Sequence, residues 1–446
     1  MNTISLIGLI VGVAFFMYSS YKGFNIFFNV LVVTALLFVT NAQNPITGWS
    51  EVFVPAFTKQ LQNYVLIYVL SAIFAGQMAA SGAAKSMAIT FSRALTRSSK
   101  DETKRKFFAV LSMPLTCAIL TYGGISSLML TFIIVAIWRE MFQEMDIPWH
   151  CYGFASIGTA TFVLGMLPGS PDMANIIPTR ILGTSTMAAP GLGIIASIVY
   201  LALALYYLWR TMKKIVAEGE GFMPTGQYGM EEAKVAAANK NEKPQHPLIL
   251  CLLPSIVLLV ALNIFKQSIV LSLVLANLVH AVIFFKHTNF KEAIGGGVQR
   301  GIYTACILCS TIGLGSVVAS VAGFEAIKNG VSAMTAAFPP IWAVFLTTNV
   351  LALFTASGPS AISNTLNIFG EQFLAAGVPA EALHRVVSTT ALGLNTCPNS
   401  AAMANSNAVT KIPIPLIWRH FKWTTVIFPL CSALVITILV SLGIVF

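Results

Sequence analysis

The sequence predicts an all-α polytopic membrane protein made of two inverted-topology repeats. Of its 446 residues, 56% are apolar and only 9% are charged, whereas soluble domains are about a quarter charged. The composition therefore excludes an ordinary water-soluble globule. A membrane-spanning helix needs ~20 apolar residues, and the chain holds many such runs. The third observation is that most basic residues lie in alternate loops.

The apolar runs form two groups separated by one long polar segment. In chain order they lie near residues 3–20, 24–40, 62–80, 107–138, 150–166, 176–209, 247–264, 268–285, 301–320, 338–377, 384–394, 404–410 and 423–446. The segment 210–246 is charged and has no apolar period, which predicts a flexible linker. The predicted organisation is a first repeat (1–209), a cytoplasmic linker (210–246) and a second repeat (247–446).

The run 107–138 predicts a re-entrant hairpin. As one helix it would be roughly 47 Å long, too long for a single crossing. Gly123 and Gly124 interrupt its centre, and paired glycines break helices. Two arms of about 13 residues reach only ~20 Å each, so we expect the tip to stop near the midplane. Such backbone persists where it is packed in protein or lines water.

The basic residues set the predicted topology. If the hairpin begins and ends on one side, 21 of the 26 Lys and Arg residues lie on the cytoplasmic side and 5 on the other. The positive-inside rule then places both termini outside, with the linker and the basic loop 81–106 in the cytoplasm. Each half makes five crossings, one of them broken, so the halves have opposite orientations. This distribution explains the net charge of +10 without a nucleic-acid partner.

Two pairs of segments recur in the same order in both halves. Pro168–Asn175 matches Pro398–Asn405 at five of eight positions, with an offset of 230. Thr121–Ser126 resembles Thr355–Ser360, with an offset of 234. Each half therefore has a hairpin tip rich in Gly and Ser, and a helix broken by Pro and Asn.

These four segments predict a binding site near the midplane. Broken helices expose unpaired N–H groups, which suit carboxylates, and unpaired carbonyls, which suit cations. The alternative is that Ser and Gly only allow close helix packing. The predicted substrate-binding residues are Thr121, Gly123, Gly124, Ser126, Ser127, Gly169, Ser170, Asn175, Ser357, Gly358, Ser360, Asn364, Asn399, Ser400 and Asn405.

The ionisable residues in these segments have competing interpretations. Asp172 is predicted to bind the coupling ion, together with Ser363 and Thr365, because an acid at membrane depth is a functional candidate; it could instead cap the following helix. Arg180 could pair with Asp172, attract an anion or face the outer interface. His384 and Arg385 are predicted to snorkel at the interface, or to act as a gate that attracts anions.

The remaining motifs predict no further chemistry. The seven cysteines lie mostly in apolar runs, so no disulfide framework, metal site or cofactor is expected. No Walker A pattern is present, which argues against ATP-driven pumping. Glycines 295–297 are predicted to form a hinge or turn. The opening residues carry no Lys or Arg before the first apolar run, so we expect no removable signal peptide.

Specific segments resemble the gluconate permease (GntP) family of the ion transporter superfamily. They are Leu167–Pro171, Asn175–Pro178 and Ala188–Ala196, and Thr355–Gly358 with Glu381–Arg385 resembles the hydroxybutyrate-permease-like branch. The resemblance implies proton-coupled uptake of small hydroxy-carboxylates across the bacterial inner membrane, and a homodimer with an elevator-like transport domain. Related permeases often have His where this chain has Pro398.

Together these features predict a secondary active transporter, not an enzyme. The expected partners are a small organic anion, most simply a short hydroxy-monocarboxylate such as gluconate or hydroxybutyrate, a coupling ion and the lipid bilayer. The coupling ion is predicted to be H⁺, with Na⁺ as the alternative. Two other classes remain open: a passive anion channel, and an intramembrane serine hydrolase using Ser360 and His384.

Overall fold

The computed structural model describes residues 2–22, 24–96, 101–125, 127–159, 161–230, 246–397 and 400–446. The regular structure within these ranges is entirely helical, which confirms the all-α class, while the inverted repeats stay a prediction. Four helices are long and apolar enough to cross a membrane: Pro45–Ser81, Pro190–Glu218, Phe290–Ser320 and Ile414–Ser441. Shorter apolar helices accompany them.

The helices of the first half are numbered α1 to α10. In chain order they are Asn2–Tyr21, Ile26–Thr40, Pro45–Ser81, Ala83–Thr96, Glu102–Tyr122, Ser127–Glu144, Ser156–Thr159, Phe162–Gly165, Met173–Leu182 and Pro190–Glu218. The 3₁₀ segment Trp149–Ala155 precedes α7. The predicted break therefore lies between α8 and α9.

The helices of the second half are numbered α11 to α19. They are Leu248–Ile264, Ile269–Ile283, Phe290–Ser320, Phe324–Ala337, Pro340–Thr355, Gly358–Ala375, Ala380–Thr390, Ala401–Thr410 and Ile414–Ser441. The order matches the first half: two apolar helices, a long helix, a short helix, a hairpin pair, an interrupted helix and a long final helix. The interruption lies between α17 and α18.

The two halves exchange contacts in a reciprocal pattern. Helix α9 packs on α16, while α18 packs on α6. Each interrupted helix therefore contacts the hairpin of the other half. In the same way α3 packs on α12 and α2 packs on α13. The halves are interlocked rather than placed side by side.

Small residues allow α3 and α13 to cross closely. A Cβ at Gly297 would lie 2.6 Å from Ile73 Cα, and one at Gly301 would lie 2.5 Å from Val69 Cα. Neither position can hold a side chain unless the backbones separate. The hinge predicted at 295–297 is therefore wrong: α13 runs continuously through these glycines. Close packing of Gly297 against Ile73 on α3 offsets the low helix propensity of glycine at that position.

The hairpin arms are longer than expected. Helices α5, α6, α15 and α16 have 21, 18, 16 and 18 residues, not about 13. Helix α5 begins before the apolar run because Asp101 caps it, accepting a hydrogen bond from Lys104 N. The charged first turn extends the arm. The turns still fall where the glycines predicted them.

Two polar segments are more ordered than the sequence suggested. The basic loop 81–106 contains helix α4. In the linker, α10 continues to Glu218, and Phe222 is buried beyond it. Buried Arg139 donates hydrogen bonds to the carbonyls of Gly226 and Tyr228. A flexible linker over all of 210–246 is therefore wrong for its first part, while 231–245 lie outside the described residues.

The α3–α13 contact yields a matched test. Gly301→Ala places a Cβ against the α3 backbone, so we expect the free energy of unfolding to fall by roughly 1–3 kcal/mol. Gly295→Ala, on the same helix, meets no atom within 4 Å and should be neutral or stabilising by up to ~1 kcal/mol. Thermal unfolding of both purified variants in detergent measures the difference. Equal melting temperatures would contradict the packing account.

Candidate functional site

A cavity of about 210 Å³ lies where the two hairpin tips and the two helix breaks meet. The first tip contributes Thr121, Gly124 and Ile125, and the second contributes 355–359. The first break contributes 171–174, and the second contributes Asn395, Thr396, Ser400 and Ala402. Segments that are far apart in the chain thus line one space.

Helices α3 and α13 form much of the remaining wall of this cavity. Their polar lining residues are Tyr68 and Ser71 on α3, and Thr304 and Thr311 on α13. None of these four residues is predicted from the sequence. Polar side chains three or seven positions apart on otherwise apolar helices were the available signal, since such spacings share one helix face.

Asp172 is the one acidic side chain among the described lining residues. It forms the N-cap of α9, where its Oδ1 accepts a hydrogen bond from Ala174 N at 2.9 Å. The capping interpretation therefore holds, and the same side chain also faces the cavity. Its second carboxylate oxygen leaves further acceptor capacity.

The first hairpin tip is fixed by close packing. Gly124 has φ +94°, and a Cβ there would lie 2.5 Å from Leu258 Cδ1. Gly123 packs against Ser255 and does not line the cavity. Thr121 Oγ1 is buried without a hydrogen-bond partner. A buried hydroxyl without a hydrogen-bond partner costs free energy. A ligand atom that forms a hydrogen bond with this hydroxyl would therefore be bound more tightly.

The second tip is organised by two serines. Ser357 caps α16 and accepts hydrogen bonds from Ser360 N and Ser360 Oγ. Ser360 is fully buried and also bonds to Thr311 Oγ1. Ser357 and Gly358 line the cavity, but Ser360 lies behind them.

Arg385 holds the first break from the opposite half of the chain. It is fully buried, and its guanidinium donates to the carbonyl oxygens of Gly165, Met166, Thr186 and Ala188 at 2.7–3.3 Å. Gly165 and Met166 lie where α8 ends, whereas Thr186 and Ala188 lie in the loop between α9 and α10. Among the described residues, no ion pair includes Arg385, so its positive charge remains uncompensated by a carboxylate.

His384 continues this network through Asn175. Asn175 Nδ2 donates to the carbonyls of Ser170 and Thr186, so its Oδ1 accepts a hydrogen bond from His384 Nε2. His384 Nδ1 then accepts from Thr184 Oγ1 at 2.7 Å. The predicted interfacial position of His384 and Arg385 is wrong, because both are buried. Among the described residues, no hydrogen bond joins His384 to Ser360, as a Ser–His hydrolase would require.

Other predicted residues lie away from the cavity. Gly169 and Ser170 belong to the first break, but Ser170 is buried beneath it. Arg180 is at the surface, where it donates to Asn63 O and covers the Tyr64 ring, rather than pairing with Asp172. Ser363 accepts a hydrogen bond from Asn367, and Thr365 is buried without a partner.

Asn364 faces a second, apolar cavity of about 220 Å³. Helices α1, α2 and α13 to α16 line this cavity, and Thr355 contributes to both cavities. The triplet 363–365 is therefore not part of the shared polar cavity. Ser126 and Asn399 lie outside the described residues. Ser127 starts α6 and Asn405 lies within α18, but their side chains are not described.

Comparison with known proteins gives one relative and no family. The chain is 28% identical over 449 aligned residues to the protein named "Uncharacterized transporter YxjC" of Bacillus subtilis (strain 168), covering 91% of this chain and 92% of that protein. No family model matches. The similarity supports membrane transport in general. It does not reach the gluconate permease family or its hydroxybutyrate branch, which stay predictions.

The carbonyl clamp around Arg385 can be tested by stability. Arg385→Met keeps the volume but leaves several buried carbonyls unpaired, so we expect the free energy of unfolding to fall by about 3 kcal/mol or more. Arg180→Met removes a surface arginine and should change it by less than ~0.5 kcal/mol. Unfolding in detergent compares the two. A similar, small effect for both variants would show that Arg385 does not support the break.

Proposed function

We propose that this protein is a secondary active transporter for a small organic anion, with the polar cavity as its substrate site. The observation that carries the proposal is the meeting of both hairpin tips and both helix breaks around one space. Discontinuous helices that converge at the interface of two repeats form the substrate sites of many secondary transporters. The similarity to a protein named as a transporter supports the same function.

The electrostatics of the cavity favour an anion. Helices α9, α16 and α18 begin at its wall, near Asp172, Ser357 and Ser400. Helix N-termini carry partial positive charge. Arg385 adds a full positive charge behind the first break. Asp172 opposes these contributions, and protonation of its carboxyl group would remove that opposition.

This opposition suggests how a proton and an anion would be coupled. The deprotonated carboxylate of Asp172 repels an anionic substrate, whereas the neutral acid can donate a hydrogen bond to it. Binding of a proton and of the anion would then favour each other. We propose H⁺ as the coupling ion for this reason. Na⁺ is the alternative, supported by the neutral oxygens of the Ser, Thr and Asn lining residues.

The lining favours a short hydroxylated substrate. Hydroxyl and amide groups from Ser71, Thr304, Thr311 and Asn395 can pair with substrate hydroxyls, while Ile125, Leu308 and Met173 provide apolar contact. A hydroxy-monocarboxylate such as hydroxybutyrate or gluconate satisfies both features. We propose this class, in agreement with the family resemblance.

The proposed setting is the bacterial inner membrane. The positive-inside bias supports external termini and a cytoplasmic linker, and the repeated order of helices supports an inverted repeat. An elevator-like movement and a homodimer are proposed from the family resemblance. A passive anion channel is the alternative to a secondary active transporter.

The function is tested by uptake into proteoliposomes. Labelled hydroxybutyrate and gluconate are supplied with a pH gradient or a sodium gradient imposed separately. We expect saturable accumulation driven by an inward proton gradient and abolished by a protonophore. In the same assay Asp172→Asn should lose proton-driven accumulation while its amide oxygen still caps α9. Asp101→Asn, at a cap outside the cavity, is the matched control. Flux that neither saturates nor concentrates substrate would indicate a channel.

Thr121 provides a second test of the cavity. Thr121→Val removes only a hydroxyl that has no partner, so we expect unchanged folding and a KM for uptake raised about 3–10-fold, the value of one hydrogen bond. Thr116→Val is the control on the same helix, because that hydroxyl bonds to Ser112 O. Should KM stay constant in Thr121→Val, the first tip does not contact substrate.

A further inference from the structure

A buried cluster of three metal-ligand side chains lies apart from the polar cavity. His150 and Cys151 belong to the 3₁₀ segment Trp149–Ala155, and His420 belongs to α19. One ligand atom from each lies within 4.8 Å of the other two. All three residues are buried, and none lines either cavity. The proposed transport function uses none of them.

The imidazole rings of His150 and His420 each direct one nitrogen toward the other ring. His150 Nδ1 and His420 Nε2 are 2.8 Å apart, and Cys151 Sγ is 3.9 Å from His150 Nδ1. In the absence of a metal ion, a hydrogen bond in which the two nitrogens share one proton accounts for the distance between them. The arrangement concentrates the lone pairs of two neutral histidines and a thiol in one small space.

The outer nitrogens are held by acceptors. His150 Nε2 donates to Glu220 Oε1 at 2.8 Å, because a carboxylate can only accept. His420 Nδ1 is 3.1 Å from the Tyr207 hydroxyl, which can donate or accept. His420 can therefore carry its proton on Nδ1 and leave Nε2 free. Metal-binding histidines typically have this second hydrogen bond, which orients the ring.

We propose that His150 Nδ1, His420 Nε2 and Cys151 Sγ form a binding site for a divalent transition metal of the Zn²⁺ type. A tetrahedral zinc ion holds two nitrogens ~3.3 Å apart and a nitrogen and a sulfur ~3.5 Å apart. The observed 2.8 and 3.9 Å each differ by about half an ångström. The third pair, Cys151 Sγ and His420 Nε2, is within 4.8 Å, so the sulfur must move by up to roughly 1 Å toward the nitrogens to reach zinc geometry. When the ion binds, the shared proton moves to His420 Nδ1 and the thiol proton is released.

The charges around the cluster are compatible with a thiolate–metal pair. The thiolate and Glu220 together balance the two charges of the ion. Burial and Glu220 oppose ionisation of the Cys151 thiol, and Arg419 and Lys106 offset part of this effect, so the metal ion itself must stabilise the thiolate. Arg419 and Lys422 also act on the histidine pair and oppose added positive charge there, so the thiolate is needed for binding. Solvent reaches the site at Glu220, whose side chain is 27% exposed.

A bound ion would join two separate parts of the chain, the segment before α7 and the beginning of α19. The segment after α10 is attached to them through the hydrogen bond between Glu220 and His150. The stability of the full chain should therefore depend on the metal.

The site is tested with Zn²⁺ alone on the purified full-length protein, by competition with a chromophoric chelator. We expect one equivalent per chain and a higher melting temperature with zinc. Affinity should fall at least tenfold in His420→Ala and 10–100-fold in Glu220→Ala, which removes an outer hydrogen-bond acceptor. His287→Ala changes an exposed histidine and should leave affinity unchanged.

Co²⁺ provides a readout of the ligands themselves. Bound Co²⁺ should show tetrahedral visible bands with a thiolate charge-transfer band, and the latter should vanish in Cys151→Ser, a nearly isosteric change that preserves folding. Absence of stoichiometric binding to the unmodified chain would overturn the proposal and leave the histidines sharing only a proton. Binding that is equal in all variants would overturn it too.

Discussion

Backbone groups that leave a helix inside a membrane must find other partners, and this requirement shapes the centre of the molecule. Hydrocarbon offers no hydrogen bonds, so each unpaired N–H or carbonyl costs several kcal/mol. The chain interrupts its helices at both tips and both breaks. At the first break, Arg385 and Asn175 satisfy the released carbonyls, Asn263 Nδ2 donates to Gly169 O, and Tyr122 donates to Pro168 O. Irregular backbone is thus possible because polar side chains converge on it.

Two of these partners, Arg385 and Asn263, come from the other half of the sequence. Arg385, His384 and Asn263 follow the linker, whereas the break they support precedes it. The same exchange appears in the packing of α9 on α16 and of α18 on α6. The first half therefore depends on the second to complete its interruption. Together the two halves of the chain build one structure around the cavity.

The sequence predicted the features that depend on local chemistry. The glycines predicted the position of the first tip, and the prolines and asparagines predicted the positions of the breaks. The recurrence of these segments in both halves predicted which parts of the two halves correspond. Prediction from the sequence failed where contacts with residues distant in the chain determine the structure. The glycines at 295–297 form part of a helix that packs on α3 through Gly297 and Gly301. Arg385 is buried because carbonyl oxygens distant in the sequence accept its hydrogen bonds. Tyr68 and Thr304 were missed because they sit on uninterrupted helices, where only a structure reveals which face borders the cavity.

The last turn of α15 separates two compartments of opposite character. Thr355 borders the polar cavity on one side and the apolar cavity of Leu346, Val350 and Phe369 on the other. A polar head group and an aliphatic tail would each find a matching surface on either side of this single residue. Selectivity for the length of the substrate's aliphatic tail would then depend on how strongly Thr355 and the last turn of α15 resist displacement. Analogues with a longer tail are a rational starting point for inhibitors, since they would occupy both spaces and immobilise the second hairpin.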